Sequence, residues 1–259
     1  MAADWDPARY LTYADDRGRP FVEMLARVRA SAPRAVVDLG CGPGNLTGLL
    51  AQRWPDADVT GIDSSPAMIE KARALGDGVR YEVGDVREWN PDDRVDVVVT
   101  NATLQWVPDH LDLVRGLVAR VAPDGWFAMQ VPGNFDEPSH TVRLELERER
   151  PYREHLRDLA RPGSYDAPTY ADAVRPLADV VDAWETTYLH VLDATTDPDP
   201  VFTWISATSA RPALGALEPE PELRARFVAE LKERLREAYP PAEGRVVMPF
   251  RRVFCVVGR

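Results

Sequence analysis

Between Ala35 and about Val131 the chain alternates short apolar runs with amphipathic stretches, and no other feature limits its possible folds so sharply. Ala35-Val-Val-Asp-Leu39 reads as a buried strand ending in a glycine cluster, followed by an amphipathic helix from Asn45 to Arg53 that stops before Trp54-Pro55. Asp58 to Asp63 is a second strand and Pro66 to Leu75 a second helix, with Ser65 placed to cap it and Pro66 at its first position. Val79 to Val83, Val95 to Val99 and Trp126 to Val131 supply three more strands. A helix from about Leu111 to Val121 precedes the last of them, and Ala122-Pro-Asp-Gly125 reads as a turn. Strands separated by such helices form βαβ units, so a parallel sheet covered on both faces is expected.

Beyond Pro132 the pattern changes. Residues 136 to 177 are helix-rich, charged and broken by prolines, and Val180 to Leu192 reads as a strand. Asp197 to about Glu237 returns to helix, punctuated by Pro198, Pro200, Pro212, Pro219 and Pro221, and Val246 to Val257 is a final strand. These helical stretches interrupt strands that the sheet needs. The expected organisation is therefore one α/β domain over 1–259, with an N-terminal helical segment (1–30), a ligand-binding core (34–132) and a helical cover from about 136–177 and 197–240.

Charge narrows the partners. Thirty-one basic against forty-two acidic side chains give a net −11, a poor surface for nucleic acid or an anionic membrane. Only Lys71 and Lys232 are lysines; the other basic residues are arginines. An anionic ligand must then meet a local arginine cluster, which suffices because charges beyond about 8 Å are largely screened at physiological salt. No apolar run approaches the roughly 20 residues of a membrane span. The N-terminus, Met1-Ala-Ala-Asp-Trp-Asp, lacks a secretory pattern, and Cys41 and Cys255 fit neither a disulfide framework nor a zinc site. A cytoplasmic, monomeric protein without a metal is expected.

Asp38-Leu-Gly-Cys-Gly-Pro-Gly-Asn45 joins the first strand to the first helix, where glycines let backbone approach a ligand at a helix N-terminus. A dinucleotide fingerprint would place glycine at 45; Asn45 stands there, with Pro43 inside the loop, which disfavours a nicotinamide enzyme. Asp63 ends strand two, where an α/β fold holds ribose hydroxyls. Asp85, after strand three, is placed to accept from an adenine amino group, and Asn101-Ala102 after strand four lines the same cleft.

This constellation resembles the class I S-adenosylmethionine (SAM)-dependent methyltransferases, at Asp38, Gly40, Gly42, Asp63, Asp85 and Val86. The resemblance implies that the glycine loop carries the methionine end of the cofactor, Asp63 the ribose and Asp85 the adenine. It adds Asn45, Ser64, Met68, Asn101, Ala102 and Gln105 to the cofactor set. It also implies a Rossmann-like, seven-stranded, mostly parallel sheet with an antiparallel last strand and a helical cover over the active site.

Further segments are similar to the trans-aconitate 2-methyltransferases: Asp4-Trp-Asp-Pro-x-x-Tyr10, Gln52-Arg-Trp-Pro55, Gly61-Ile-Asp-Ser-Ser-Pro-Ala-Met68, Asn101-Ala-x-Leu-Gln-Trp106, Pro108-Asp-His110, Asn134-x-x-Glu-Pro-x-His140 and Arg211-Pro212. Thr208-Ser-Ala departs slightly from that family's form. The similarity implies methyl transfer to a carboxylate of a small tricarboxylate, giving the monomethyl ester and S-adenosylhomocysteine (SAH).

Such an acceptor is already ionised, since a carboxylic acid has a pKa near 4, so no proton-transfer catalyst is expected and alignment in a dry site carries the rate. Carboxylates are best held by arginine forks. The candidates for the substrate are Arg211, Arg252 or its neighbour Arg251, Arg19 with Arg17, and the polar groups of Tyr10, Tyr13, Gln130, His140 and Tyr188. Strand alternation lets only one of Arg251 and Arg252 face a given side. His110 reads as a helix start and Trp106 and Trp204 as core. The rival readings are a methyltransferase of another small acid or natural-product acceptor, and a non-catalytic SAM-binding protein.

Overall fold

The computed structural model describes residues 18–259. Seven strands form one sheet in the order β3-β2-β1-β4-β5-β7-β6. β1 (Ala35–Leu39), β2 (Asp58–Asp63), β3 (Arg80–Val83), β4 (Val95–Asn101) and β5 (Val121–Pro132) run parallel; β7 (Arg245–Gly258) is antiparallel to β5, and β6 (Val180–Asp193) is an edge. The Rossmann-like sheet with its antiparallel last strand is thus present. β4 shows why the central strands read as continuous apolar runs: Val97, Val98 and Val99 are all fully buried, so both faces of the strand are covered.

The helices are α1 (Arg19–Leu25), α2 (Thr47–Arg53), α3 (Pro66–Arg73), α4 (Leu111–Ala119), α5 (Pro138–Arg148), α6 (Arg153–Leu156), α7 (Ala167–Val174), α8 (Pro200–Ser206), α9 (Arg211–Ala216) and α10 (Pro221–Ala238). Three local expectations need correction. α2 starts at Thr47, leaving Asn45 in the preceding turn. Ser65 occupies the N-cap of α3 but makes no side-chain cap; its peptide N–H donates to Asp63 Oδ1 at 2.9 Å. Residues 122–125 are a bulge within β5, because Val121 already pairs with Val95 before Trp126 takes up Val97, and Asp124 there has φ 61°. Arg259 then closes the carboxyl end of α4, donating to the carbonyls of Val118, Ala119 and Val121 at 3.3, 2.8 and 2.9 Å.

The chain forms two compact units, the first Met1–Pro132, Ser164–Thr186 and Arg252–Arg259, the second Gly133–Gly163 and Thr187–Arg251. In the first, Leu117, Val118, Phe127, Met129, Tyr170 and Cys255 are fully buried in one core. Each large side chain so buried contributes about 1.5–3 kcal/mol. In the second, Leu146, Leu156, Ala213, Phe227 and Leu231 form a separate core, with the Tyr152 ring edge-on to Phe227 at 5.1 Å. Among the described residues no helix is long and apolar enough to cross a membrane.

Candidate active site

In the first unit the carboxyl ends of β1 to β4 open into a cleft of about 520 Å³, within the usual range for a ligand pocket. Its walls bring together Gly40, Gly42, Asp63, Ser64, Met68, Asp85, Val86 and Ala102, eight of the residues that the sequence nominates for the cofactor. The glycine loop is shaped by sterics. A Cβ at Gly40, φ +80°, would lie 2.0 Å from Thr103 Oγ1, whereas one at Gly42, φ +56°, would meet nothing within 4 Å. Gly40 lets the loop rest against Thr103, and Gly42 presents bare backbone to the cleft.

Asp63 ties loop and helix together. Its Oδ2 accepts from the Gly42 N–H at 3.0 Å and its Oδ1 from the Ser65 N–H at 2.9 Å. A carboxylate has about four acceptor positions, so roughly two remain for a diol. Asp85 is differently placed. Both its oxygens receive the Arg87 guanidinium, Oδ1 also receives the Arg87 N–H, and this pairing holds its carboxyl below the usual range.

The remaining cofactor candidates stand off the cleft wall. Asp38 is buried behind the loop, where Thr47 Oγ1 donates to it at 2.7 Å. Asn45 is exposed beyond the loop. Gln105 Nε2 donates to the Ala102 carbonyl at 2.6 Å, which supports the wall from behind. The buried Oδ1 of Asn101, Oε1 of Gln105 and Nε2 of Gln130 have no hydrogen-bond partner among the described residues.

Register places three polar residues on one sheet face: Asn101 is opposite Gln130, Gln130 opposite Phe254, and Pro132 opposite Arg252. Arg252, buried, therefore shares the face of Gln130 and Asn101, while Arg251 points the other way. Of the other substrate candidates, Arg19 starts α1 exposed and pairs with Glu23 at 2.7 Å. His140 and Tyr188 are buried in the second unit, and Arg211 is exposed at the start of α9. Tyr10, Tyr13 and Arg17 lie outside the described residues.

Two aromatic expectations part company. Trp106 is 47% exposed and lines the cleft, which corrects its assignment to the core; it stands in a short 3₁₀ turn after β4 rather than on a buried helix face. Trp204 packs against the second core, its ring 4.5 Å from that of His190. His110 does precede α4, its Nδ1 meeting the Val107 carbonyl at 2.9 Å and its Nε2 the Tyr170 hydroxyl at 2.6 Å. Arg87, Thr103 and Val107 also line the cleft and were not singled out, and Pro43, noted only as disfavouring a dinucleotide loop, lines it too. Their only sequence signal is a position one or two residues from Gly42, Asp85, Ala102 and Trp106.

Comparison with known proteins is consistent with this geometry. A model of the methyltransferase domain matches residues 36–125. Trans-aconitate 2-methyltransferase of Mycobacterium sp. (strain KMS) is 50% identical over 256 residues, covering 97% of this chain and 98% of that protein. The enzyme of that name from Rhodococcus jostii (strain RHA1) is 49% identical over 97% of this chain and 98% of its own. The chain belongs to the trans-aconitate 2-methyltransferase family. Its fold is that of the YcgJ protein of Bacillus subtilis, with a TM-score of 0.58 at 14% identity over 92% of this chain and 96% of that one.

The cleft of this methyltransferase fits SAM. Asp63 keeps acceptor positions for two ribose hydroxyls, the open space at Gly42 admits a chain against bare backbone, and Asp38 offers a carboxylate beneath the loop. Arg87 occupies the remaining candidate acceptor, Asp85, through an exposed pair, and such pairs are readily exchanged. Arg87→Met should therefore tighten SAH binding by up to about fivefold, measured by calorimetry. Loosening of that size would mean that Arg87 itself holds the cofactor.

Burial, then the charge of Asp63, pushes the Asp38 carboxyl up to about 6, against the opposing Thr47 hydrogen bond. Its neutral form is thus favoured in the fold, and the associated stability is lost as pH rises from about 4 through 6. A ligand ammonium beside Asp38 reverses the preference. SAH affinity should then fall about tenfold from pH 7 to pH 5 in the native chain. Asp38→Asn should flatten that slope; a native slope of zero would remove Asp38 from contact with the ammonium.

Proposed function

We propose that this protein transfers the methyl group of SAM to a carboxylate of trans-aconitate, giving the monomethyl ester and SAH, and that it acts as a monomer in the cytoplasm. The observation that carries this reading is the near-half identity, over almost the whole of both chains, to enzymes named for that reaction. The free, buried Cys41 and Cys255 accord with a reducing compartment.

When bound, SAM supplies an electrophilic sulfonium methyl. The chain's part is to hold and align. In this reading Gly40, Gly42 and Asp38 seat the methionine end, Asp63 with Ser64 and Met68 the ribose, and Asp85 with Val86 the adenine. Asn101, Ala102 and Gln105 form the wall behind them. Gln130, Arg252, His140, Tyr188, Arg211, Arg19, Tyr10 and Tyr13 are the groups proposed for the acid.

No side chain takes a proton, because the acceptor carboxylate arrives ionised. His140 accords with this: burial, then the charge of Arg143, lowers its pKa to about 4, so it stays neutral at working pH. Its role is to fill and hydrogen-bond, without a limb in the rate profile near pH 6.5.

The test is incubation with methyl-labelled SAM and trans-aconitate, with cis-aconitate, citrate, isocitrate and a phenol in parallel. Label released by mild alkali and strongly favouring trans-aconitate is the expected result, since alkali cleaves a methyl ester but not an ether. Preference for another acid would keep the reaction and change the substrate. SAM binding without transfer to any acceptor would leave a binding protein.

A further inference from the structure

Trp106 and Val107 line the cleft from the 3₁₀ turn, Leu104–Trp106, that follows β4. The turn closes on itself: the Trp106 N–H donates to the Thr103 carbonyl at 3.1 Å and the Val107 N–H to the Leu104 carbonyl at 3.0 Å. The link from there into α4 is weak by composition. Pro108 has no N–H to give, and Asp109 sits at φ 50°, a left-handed conformation that costs a non-glycine residue about 1–2 kcal/mol. Such strain persists only where neighbouring groups hold it.

One side chain is placed to hold it. His110, 2% exposed, folds back so that its Nδ1 meets the Val107 carbonyl at 2.9 Å, while its Nε2 meets the Tyr170 hydroxyl at 2.6 Å. A carbonyl only accepts, so Nδ1 carries the ring proton and Nε2 accepts from the hydroxyl. The Tyr170 oxygen in turn accepts from the Tyr165 N–H at 3.3 Å. Both tyrosine rings pack on the imidazole, Tyr165 edge-on at 5.3 Å and Tyr170 stacked at 5.7 Å. Burial lowers the His110 pKa against the Val107 bond and the Asp109 charge, which keeps the ring neutral at neutral pH. All of these residues belong to the first unit. A histidine that only filled the core could be any ring of its size; this one uses both nitrogens, one of them on the backbone of a cleft-lining residue.

We infer that His110 is a positioning residue for the cofactor: through the Val107 carbonyl it fixes the Trp106–Val107 wall of the cleft, and Tyr170 fixes His110. The role rests on SAM occupying this cleft and not on which acid is methylated. A wall that wanders lowers the share of molecules ready to bind, and affinity falls by that share.

The experiment compares the native chain with His110→Asn and His110→Gln, which separate the two nitrogens. The asparagine amide reaches the Nδ1 position and keeps a donor for Val107. The glutamine amide reaches the Nε2 position, keeps an acceptor for Tyr170 and leaves Val107 without a donor. Both variants lose the ring and should lose stability alike in denaturant. Titration with SAH should separate them, with Kd within about threefold of native for His110→Asn and raised about tenfold for His110→Gln. The KM for SAM should follow the same order, with kcat for ester formation within about twofold of native. Equal loss of SAH affinity in both would make His110 a core residue only and overturn the role, as would loss in His110→Asn alone or in neither. Nitrogen-15 NMR of the native chain should show His110 as the neutral Nδ1–H tautomer, and the Nε2–H tautomer would overturn the role. That measurement decides if circular dichroism finds either variant unfolded. A native chain that binds no SAH overturns the cofactor cleft and this role together. The expected order of SAH affinities, with no ester from any acid, keeps the role and overturns only the proposed activity.

Discussion

Asp63→Ala should weaken SAH binding by at least about a hundredfold while the protein remains folded. The carboxylate serves two purposes, and the variant removes both. It holds the Gly42 and Ser65 peptide N–H groups at 3.0 and 2.9 Å, which sets the glycine loop against the start of α3. It also retains the acceptor positions proposed for the ribose. Hydrogen bonds to a charged group are each worth about 1.5–3 kcal/mol, so losing two reaches 10²-fold or more. Asp63→Asn keeps one carbonyl oxygen and should fall between native and alanine. Calorimetric titration with SAH checks the series; a Kd within tenfold of native for the alanine variant would mean that Asp63 organises the loop without touching the cofactor.

The second large effect is on stability. Gly40→Ala should lower unfolding free energy by about 2–5 kcal/mol, from a positive-φ penalty of about 1–2 kcal/mol and overpacking of about 1–3 kcal/mol. The new Cβ would stand 2.0 Å from Thr103 Oγ1, 2.4 Å from its Cγ2 and 2.6 Å from its Cβ, so Thr103 or the loop must move. That is a large share of the 5–15 kcal/mol typical of a domain. Thr103→Ala in the same chain removes two of the three contacts and should recover part of the loss, leaving the backbone term and the 2.6 Å approach to the remaining Cβ. Denaturant unfolding of the four chains of this cycle measures both parts. Full additivity of the two substitutions would show that Thr103 is not what restricts residue 40.

The central architecture was legible because it is local. Parallel strands buried on both faces must be apolar throughout, as in Val95 to Val99, and the helices between them must end at glycine, proline or a capping position. The spacing of Gly40, Gly42, Asp63 and Asp85 places them at successive strand ends, so the cleft they line follows from topology alone. Trp106 was misread because burial depends on what packs above a residue, and nothing in Leu-Gln-Trp distinguishes a covered indole from one facing a cleft. Asp85 likewise reads as a free acceptor until Arg87, two residues on, is seen to fill it.

By itself, then, the order of residues determined the sheet, the cleft-lining loop and the family, since these rest on periodicity and on short motifs fixed within a few residues of one another. Tertiary structure alone decided which charges matter. With nearly every basic residue an arginine, pattern could not single out Arg252 from Arg251. That choice depends on strand register, which sets Arg252 opposite Pro132 and so on the face of Gln130. Burial is set by neighbours distant in sequence, and it is burial and register together that separate Arg252 from its neighbour.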